Sequence, residues 1–190
     1  MAAEEQDGEL ERNSIKEKAR LRLREFDVRD RFSHLPLARA AVLLPLMVRA
    51  GKLHLLLTVR SMQMNYLVTP VVGFIEDTFQ PSPNPDEVSN VFVIPLEYFI
   101  KPLNYQTVPY KTSSGYHGRM HSFTYDDPEH KMSFRIWGLT AHFAVFLALV
   151  IFRRRPTFEI DYDLDNLTSS SENYFMNLYA SVYERKKSNI

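Results

Sequence analysis

Four acidic residues near the end of the chain have the spacing of a calcium-binding loop. Asp161, Asp163 and Asp165 alternate, and Glu172 stands in the twelfth place of the pattern. The sixth place, where such a loop needs glycine for its turn, is Asn166. We therefore predict an exposed acidic strand followed by helix-capping residues, and no calcium site.

Three histidines form a second group that could bind a metal. His117 and His121 are four residues apart, a spacing that places both imidazoles on one face of a helix or strand, and His130 follows. The chain has no cysteine, so zinc would need histidine and carboxylate ligands alone. Because no glutamate completes an H-E-x-x-H pattern, we predict exposed hairpin histidines. The chain also contains no G-x-S-x-G elbow and no phosphate-binding glycine loop.

A single carboxylate, Glu87, is the third candidate. It follows Asn84, Pro85 and Asp86 and precedes an apolar segment. A carboxylate on a proline-containing loop just before a strand could act as a general base or could hold a metal-bound water. Solvation of the loop explains the same residue, and residue chemistry alone leaves both interpretations open.

The composition limits the class of protein. The 190 residues carry 23 basic and 23 acidic side chains, and 45% are hydrophobic. We expect one domain with a real core and no global attraction to nucleic acid or to anionic membranes. The acidic start lacks the features of a secretory signal, and Leu139 to Phe152 is shorter than the ~20 residues that span a bilayer. We therefore expect a protein that stays inside the cell, without a membrane span, and a buried helix over that apolar run.

Apolar periodicity and turn residues predict the elements of the first half. Residues 1–12 are expected to form a flexible tail, and one domain is expected over 13–187, with a short tail at 188–190. The predicted elements are a helix from Asn13 or Ser14 to about Leu23, a hairpin of Ala40–Val48 and Leu53–Arg60, strands at Val68–Ile75 and Val88–Ile94, an irregular Asp77–Asp86, and a helical turn at Leu96–Phe99.

The second half is predicted in the same way. Tyr105 to Gly118, with its glycines, is expected to be a loop. The other predicted elements are a hairpin of Arg119–Tyr125 and Met132–Trp137, a helix at Ala141–Phe152 capped by Thr140, a short strand at Phe158–Tyr162 and a closing helix at Ser171–Lys186.

The connection after the first hairpin is unusual. Only Met62, Gln63, Met64 and Asn65 stand between Ser61 and Tyr66, and they include no glycine, proline or charge. Four residues are enough for a hairpin, so Leu53–Arg60 could pair directly with Val68–Ile75 in antiparallel fashion.

Several separated segments resemble one known family in the correct order. They are FSHLP, LLLTVRS (Leu55 to Ser61), VTPVVGFI (Val68 to Ile75), PNPDEVSNVFVIPLEYF (Pro83 to Phe99) and IWGLTAHFAVFLALVIF (Ile136 to Phe152). Together they resemble the coenzyme A diphosphatases of the Nudix hydrolase family, from about Asn13 to Glu172. The resemblance implies an α/β (α+β) fold, with a truncated Nudix-type mixed sheet flanked by helices.

The resemblance also implies what is missing. In the family, the T-x-R-S element opens a coenzyme A signature that leads into the Nudix box, whose glutamates hold magnesium or manganese against a pyrophosphate. Here the only adjacent glutamates are Glu4 and Glu5, and a segment of several dozen residues is missing between Ser61 and Tyr66. The resemblance leaves Arg60 and Ser61 as substrate-binding residues and Glu87 as a residual base or metal-assisting group. We expect no catalytic residues, no bound metal and little or no hydrolysis.

The implied ligand is coenzyme A or an acyl derivative of it. One alternative is a non-enzymatic protein that binds coenzyme A or associates with the full-length enzyme and regulates it; another is a product that does not fold stably. Family members carry a peroxisomal tripeptide of the S-K-L kind, which Ser188, Asn189 and Ile190 do not match. The peroxisome is the implied location, and the cytosol is the alternative.

Overall fold

Two compact units, residues 1–97 and 98–190, make up the chain. The computed structural model describes residues 2–27, 29–35, 38–58, 67–111, 115 and 117–188. It contains two β-sheets and three α-helices, which confirms the predicted α/β (α+β) class. The prediction of one domain over 13–187 stays a prediction.

The first unit begins with helix α1, Ala2–Arg24. The predicted helix start at Asn13 or Ser14 was wrong, because the helix already includes most of the segment assigned to a flexible tail. The alanines, glutamates and glutamine of that segment are good helix formers despite their polarity. Few apolar residues mark the segment, so hydrophobic periodicity gave no signal for it.

Four strands form the sheet of the first unit. They are β1 (Arg39–Arg49), β2 (Lys52–Thr58), β3 (Leu67–Phe74) and β4 (Val91–Pro95), in the order β3-β1-β2-β4. The predicted hairpin is confirmed, because β1 and β2 pair antiparallel around a tight turn at Ala50 and Gly51. Both turn residues have positive φ, 48° and 69°, as two-residue hairpin turns require.

The third strand pairs differently from the possibility raised by the sequence. β3 pairs with β1 in parallel, from Arg39 opposite Leu67 to Leu46 opposite Phe74. An antiparallel hairpin of β2 with β3 is therefore wrong: β1 lies between these two strands. β4 pairs with the other side of β2, antiparallel.

Three strands contribute to the core of the first unit. Leu46, Leu55 and Ile94 are completely buried, and each belongs to a different strand of the sheet. The segment after β3 has no regular structure through Asp86, as its three prolines predict, and a 3₁₀ helix at Leu96–Phe99 confirms the predicted helical turn.

The second unit contains a three-stranded antiparallel sheet. Its strands are β5 (Tyr105–Lys111), β6 (His117–Asp127) and β7 (Met132–Trp137), in that order. The β6–β7 hairpin is confirmed. The loop predicted over Tyr105 to Gly118 was wrong, because most of that segment is β5, an edge strand in which Pro109 pairs with Arg119. Proline is tolerated at an edge, where a missing N–H breaks no ladder.

Two helices complete the second unit. α2 (Gly138–Phe152) confirms the predicted buried helix, and α3 (Leu167–Ser188) starts earlier than expected. The cap of α2 was predicted wrongly, since its N-cap is Trp137, without a side-chain cap. The strand predicted at Phe158–Tyr162 is irregular backbone. Among the described residues, no helix has the length and apolarity needed to cross a membrane.

Candidate functional site

The end of the first sheet at which β2 stops and β3 starts is the candidate site. Thr58, the last residue of β2, pairs with Val91, the first of β4, while Leu67 pairs with Arg39, the first of β1. The starts of β1, β3 and β4 and the end of β2 therefore meet at one end of the sheet. Arg60 and Ser61, predicted to bind substrate, lie outside the described residues.

Glu87 is four positions before Val91 in the chain, so the turn that carries it precedes β4 at this same end of the sheet. The backbone N–H groups of Glu87 and Val88 donate to the Asn84 carbonyl at 3.1 and 2.9 Å. The Asp86 N–H donates to the Asn84 side-chain oxygen at 3.1 Å. The turn is thus built on Asn84, and the Glu87 side chain is exposed.

Two further carboxylates of the first unit were missed by the sequence reasoning. Glu76 accepts hydrogen bonds from Lys16 at 2.9 and 3.0 Å, and Arg12 forms an ion pair with Asp77 at 3.2 Å. Lys16 is 7% exposed. Two basic side chains of α1 thus hold the segment that follows β3. The four-residue spacing of Arg12, Lys16 and Arg20 was the available signal.

The structure does not bring the three histidines together. His117 begins β6 and is exposed, whereas His130 lies in the turn beyond Asp127, at the opposite end of the strand. An extended strand of this length separates its ends by about 30 Å. Nδ1 of His130 lies 2.6 Å from the Asp127 carboxylate. The prediction of exposed hairpin histidines is confirmed for His117 and His130.

His121 contradicts that prediction because it is 4% exposed. The Tyr105 hydroxyl lies 2.9 Å from its Nδ1, and the rings of both residues contact Phe158. Burial lowers the pKa of His121 below its usual value, since the charged imidazolium loses its hydration there. Burial likewise raises the pKa of Tyr105. The cluster is a packed aromatic core that contains the polar contact between Tyr105 and His121.

The acidic run also has a structural role. The Asp161 carboxylate accepts from the Arg119 guanidinium at 2.6 Å and from its backbone N–H at 3.0 Å. Asp163 accepts from the Asn166 amide and the Asp165 N–H, both at 3.0 Å, and these hydrogen bonds lower the pKa of Asp163. Asp161 thus anchors irregular backbone to β6, and Asp163 organises the turn before α3.

His142 lies on α2 between two tyrosines. Its ring stacks on Tyr174, with centroids 4.9 Å apart, and its Nε2 lies 2.8 Å from the Tyr162 hydroxyl. Burial lowers the pKa of His142 to about 4. The imidazole is therefore neutral at physiological pH and serves as a packing and hydrogen-bonding group.

Comparison with known proteins identifies the family. No family model matches the chain. The peroxisomal coenzyme A diphosphatase of Mus musculus is 35% identical over 222 aligned residues, covering 89% of this chain and 94% of the mouse protein. The chloroplastic Nudix hydrolase 22 and the mitochondrial Nudix hydrolase 15 of Arabidopsis thaliana are 37% and 38% identical over 93 residues. Those matches cover 48% of this chain and about a third of each plant protein.

The mouse match runs through nearly the whole of both proteins, and the plant matches are to two further Nudix hydrolases. Where the structure describes them, the segments by which the sequence resembles that family include parts of β2, β3, β4, β7 and α2 and the turn at Glu87. On this similarity, the chain belongs to the Nudix hydrolase family.

Proposed function

We propose that this chain is a coenzyme A diphosphatase polypeptide of the Nudix family that is catalytically deficient because the glutamate-bearing segment of the site is missing. The observation that carries the proposal is the short connection between β2 and β3. Only residues 59–66 join Thr58 to Leu67, and none of them is aspartate or glutamate.

The length of the match supports a missing segment. The alignment with the mouse protein has 222 positions, but 89% of the 190 residues here is about 169. Roughly fifty aligned positions therefore have no counterpart in this chain. The proposal assigns most of these unmatched positions to the β2–β3 connection, which begins within the T-V-R-S element, Thr58 to Ser61.

The chemistry explains why this loss would abolish turnover. The family's magnesium or manganese, when bound, supplies the positive charge that neutralises a pyrophosphate during attack by water. Divalent cations of this kind need several oxygen ligands, with carboxylates among them. Within the described part of the chain, no group of three or more histidine, aspartate or glutamate side chains could hold a metal ion. The described residues do not fit the cofactor, and Glu87 alone would not replace a cluster.

A direct assay tests this proposal. The purified chain is incubated with coenzyme A and magnesium or manganese, and release of phosphopantetheine is followed, with the mouse relative as positive control. We expect no turnover above background. A second protein carries the mouse segment inserted between Ser61 and Tyr66, and we expect it to regain metal-dependent hydrolysis. Hydrolysis by the chain without the insertion would refute the proposal.

A binding or regulatory role is the second candidate. It is favoured by the intact four-stranded ladder, which ends at Thr58 just before Arg60 and Ser61. Under this proposal the chain binds coenzyme A or an acyl derivative, or associates with the full-length enzyme, in the peroxisome or in the cytosol. Calorimetry with coenzyme A tests the first role, and co-purification with the full-length enzyme tests the second. Absence of both interactions would eliminate this candidate.

A further inference from the structure

The outer face of the β5–β6–β7 sheet carries an exposed aromatic ring beside an arginine. Strand alternation divides this sheet into a buried face, with Phe123, Phe134 and Ile136, and an outer face, with Arg135 and Trp137. The Arg135 guanidinium lies 5.8 Å from the centre of the Trp137 ring. Trp137 is 57% exposed, although tryptophan is highly buried on average in folded proteins.

Arg135 is held in place but not neutralised. Its Nε donates to the Ser122 hydroxyl at 3.2 Å, and Trp137 supports the guanidinium from the side. Among the described residues, no carboxylate forms an ion pair with it. Asp126, on the same face, accepts from Ser133 at 2.5 Å and from Asn104 at 3.5 Å. The positive charge of Arg135 is thus available to an anion.

A hollow of about 220 Å³ lies next to this pair. Its lining includes Arg135 and the polar side chains of Asn104, Gln106, Ser122 and Thr124, and it contains no carboxylate. Amide, hydroxyl and guanidinium groups are the donors that phosphate oxygens accept from. Typical ligand pockets measure roughly 300–1,000 Å³, so the hollow suits a single phosphate group better than a whole ligand.

Apolar side chains extend the same face beside the hollow. Trp137 is directly opposite Ser122, and Met120, two residues before Ser122, is directly opposite Val108. Met120 and Val108 are 39% and 54% exposed. Trp137, Met120 and Val108 therefore form an apolar platform beside the donors, suited to a planar ring.

The geometry points to a binding site for a mononucleotide on the outer face of the second sheet, with the phosphate at Arg135 and the base on Trp137. The inference goes beyond the proposed loss of hydrolysis, because it concerns residues of the second unit and a binding event without bond cleavage. The same chemistry has two sources, a free adenine nucleotide and the nucleotide half of coenzyme A.

Trp137 is the only tryptophan of the chain, so its fluorescence reports directly on this face. The full-length protein is titrated with AMP, adenosine, ribose 5-phosphate, phosphopantetheine and coenzyme A, with excitation where adenine does not absorb. We expect saturable quenching by AMP, binding of adenosine about tenfold weaker, and no quenching by ribose 5-phosphate. A dissociation constant for coenzyme A at least tenfold lower than that for AMP would identify coenzyme A as the ligand of the site. Otherwise the free nucleotide is the ligand.

Two matched variants separate this site from non-specific quenching. Arg135→Gln removes the charge and is expected to weaken AMP binding about tenfold. Arg154→Gln alters a second arginine that lies over an aromatic ring, 5.1 Å from the centre of Phe152, and should leave AMP binding unchanged. Circular dichroism confirms that both variants fold. The inference is refuted if neither AMP nor coenzyme A quenches saturably below about 1 mM, or if both variants weaken binding equally. The quenching titrations and the comparison of the two variants do not depend on hydrolysis of coenzyme A.

Discussion

Acid sensitivity of the second unit should depend on His142. The pKa of this imidazole is lowered to about 4, whereas a histidine in an unfolded chain has a pKa of about 6.5. Between these values the unfolded chain binds a proton that the folded chain does not, so stability falls as the pH is lowered through this window. Linkage gives a loss of about 2 kcal/mol between about pH 7.5 and about pH 5.

The double variant His142→Phe and Tyr162→Phe removes this contribution. Phenylalanine retains a ring to stack on Tyr174, and the second change avoids leaving the Tyr162 hydroxyl without its partner. Urea unfolding followed by Trp137 fluorescence is measured at both pH values. We expect the wild-type protein to lose about 2 kcal/mol more than the variant on acidification. His121, whose pKa is also lowered, is present in both proteins, so its contribution largely cancels.

His34→Gln is the matched control, because His34 is an exposed histidine of the first unit. Its pH profile should follow that of the wild-type protein. Equal losses of stability in the wild-type protein and the double variant would refute the argument that a neutral, half-buried His142 causes the acid sensitivity.

Three stability measurements extend these predictions. Phe123→Ala empties a completely buried ring site and should cost about 3–5 kcal/mol, seen as a lower urea midpoint; a loss under about 1 kcal/mol would contradict the packing described. Lys16→Met should lower the free energy of unfolding by at most about 1 kcal/mol, because the partner Glu76 is exposed. Lys16→Ala also removes the buried aliphatic part of the side chain and should lower it by more. Equal losses of stability in the two variants would contradict this prediction. Gly51→Ala should destabilise the protein by about 1 kcal/mol, because Gly51 has a positive φ, and Gly8→Ala in α1 should stabilise it by a similar amount. Melting temperatures measure both effects, and a shift of both melting temperatures in the same direction would contradict the prediction.

Sequence patterns predicted the elements that are rich in apolar residues. The β1–β2 and β6–β7 hairpins and α2 all carry strong apolar signals. β5 was missed because Gly115 and Gly118 suggested a loop, and only pairing with β6 shows that the residues before them form an edge strand. The irregular segment of Phe158 and Asp161 was mistaken for a strand because side-chain contacts to Tyr105 and Arg119, not a ladder, hold it. Such long-range partners leave no local pattern.

The candidate site was predictable only in part. The family motifs pointed to the connection after β2, and strand pairing places the Glu87 turn at the same end of the sheet. The role of Asp77 depended on an α1 longer than expected, because its partner Arg12 precedes the predicted start of that helix. His121 was assigned to the surface because spacing reveals which residues share a face, but not which face is buried.

The parallel pairing of β1 with β3 also makes the sheet insensitive to the length of the chain between β2 and β3. Eight residue pairs, from Arg39 and Leu67 to Leu46 and Phe74, set the register of these strands. In a hairpin with a tight turn, the length of the turn fixes the register of the two strands. Here a longer loop between β2 and β3 leaves the register unchanged, and each doubling of the loop length costs only about 0.6 kcal/mol in closure entropy. The chain between β2 and β3 can therefore be longer or shorter while the sheet keeps its hydrogen bonds.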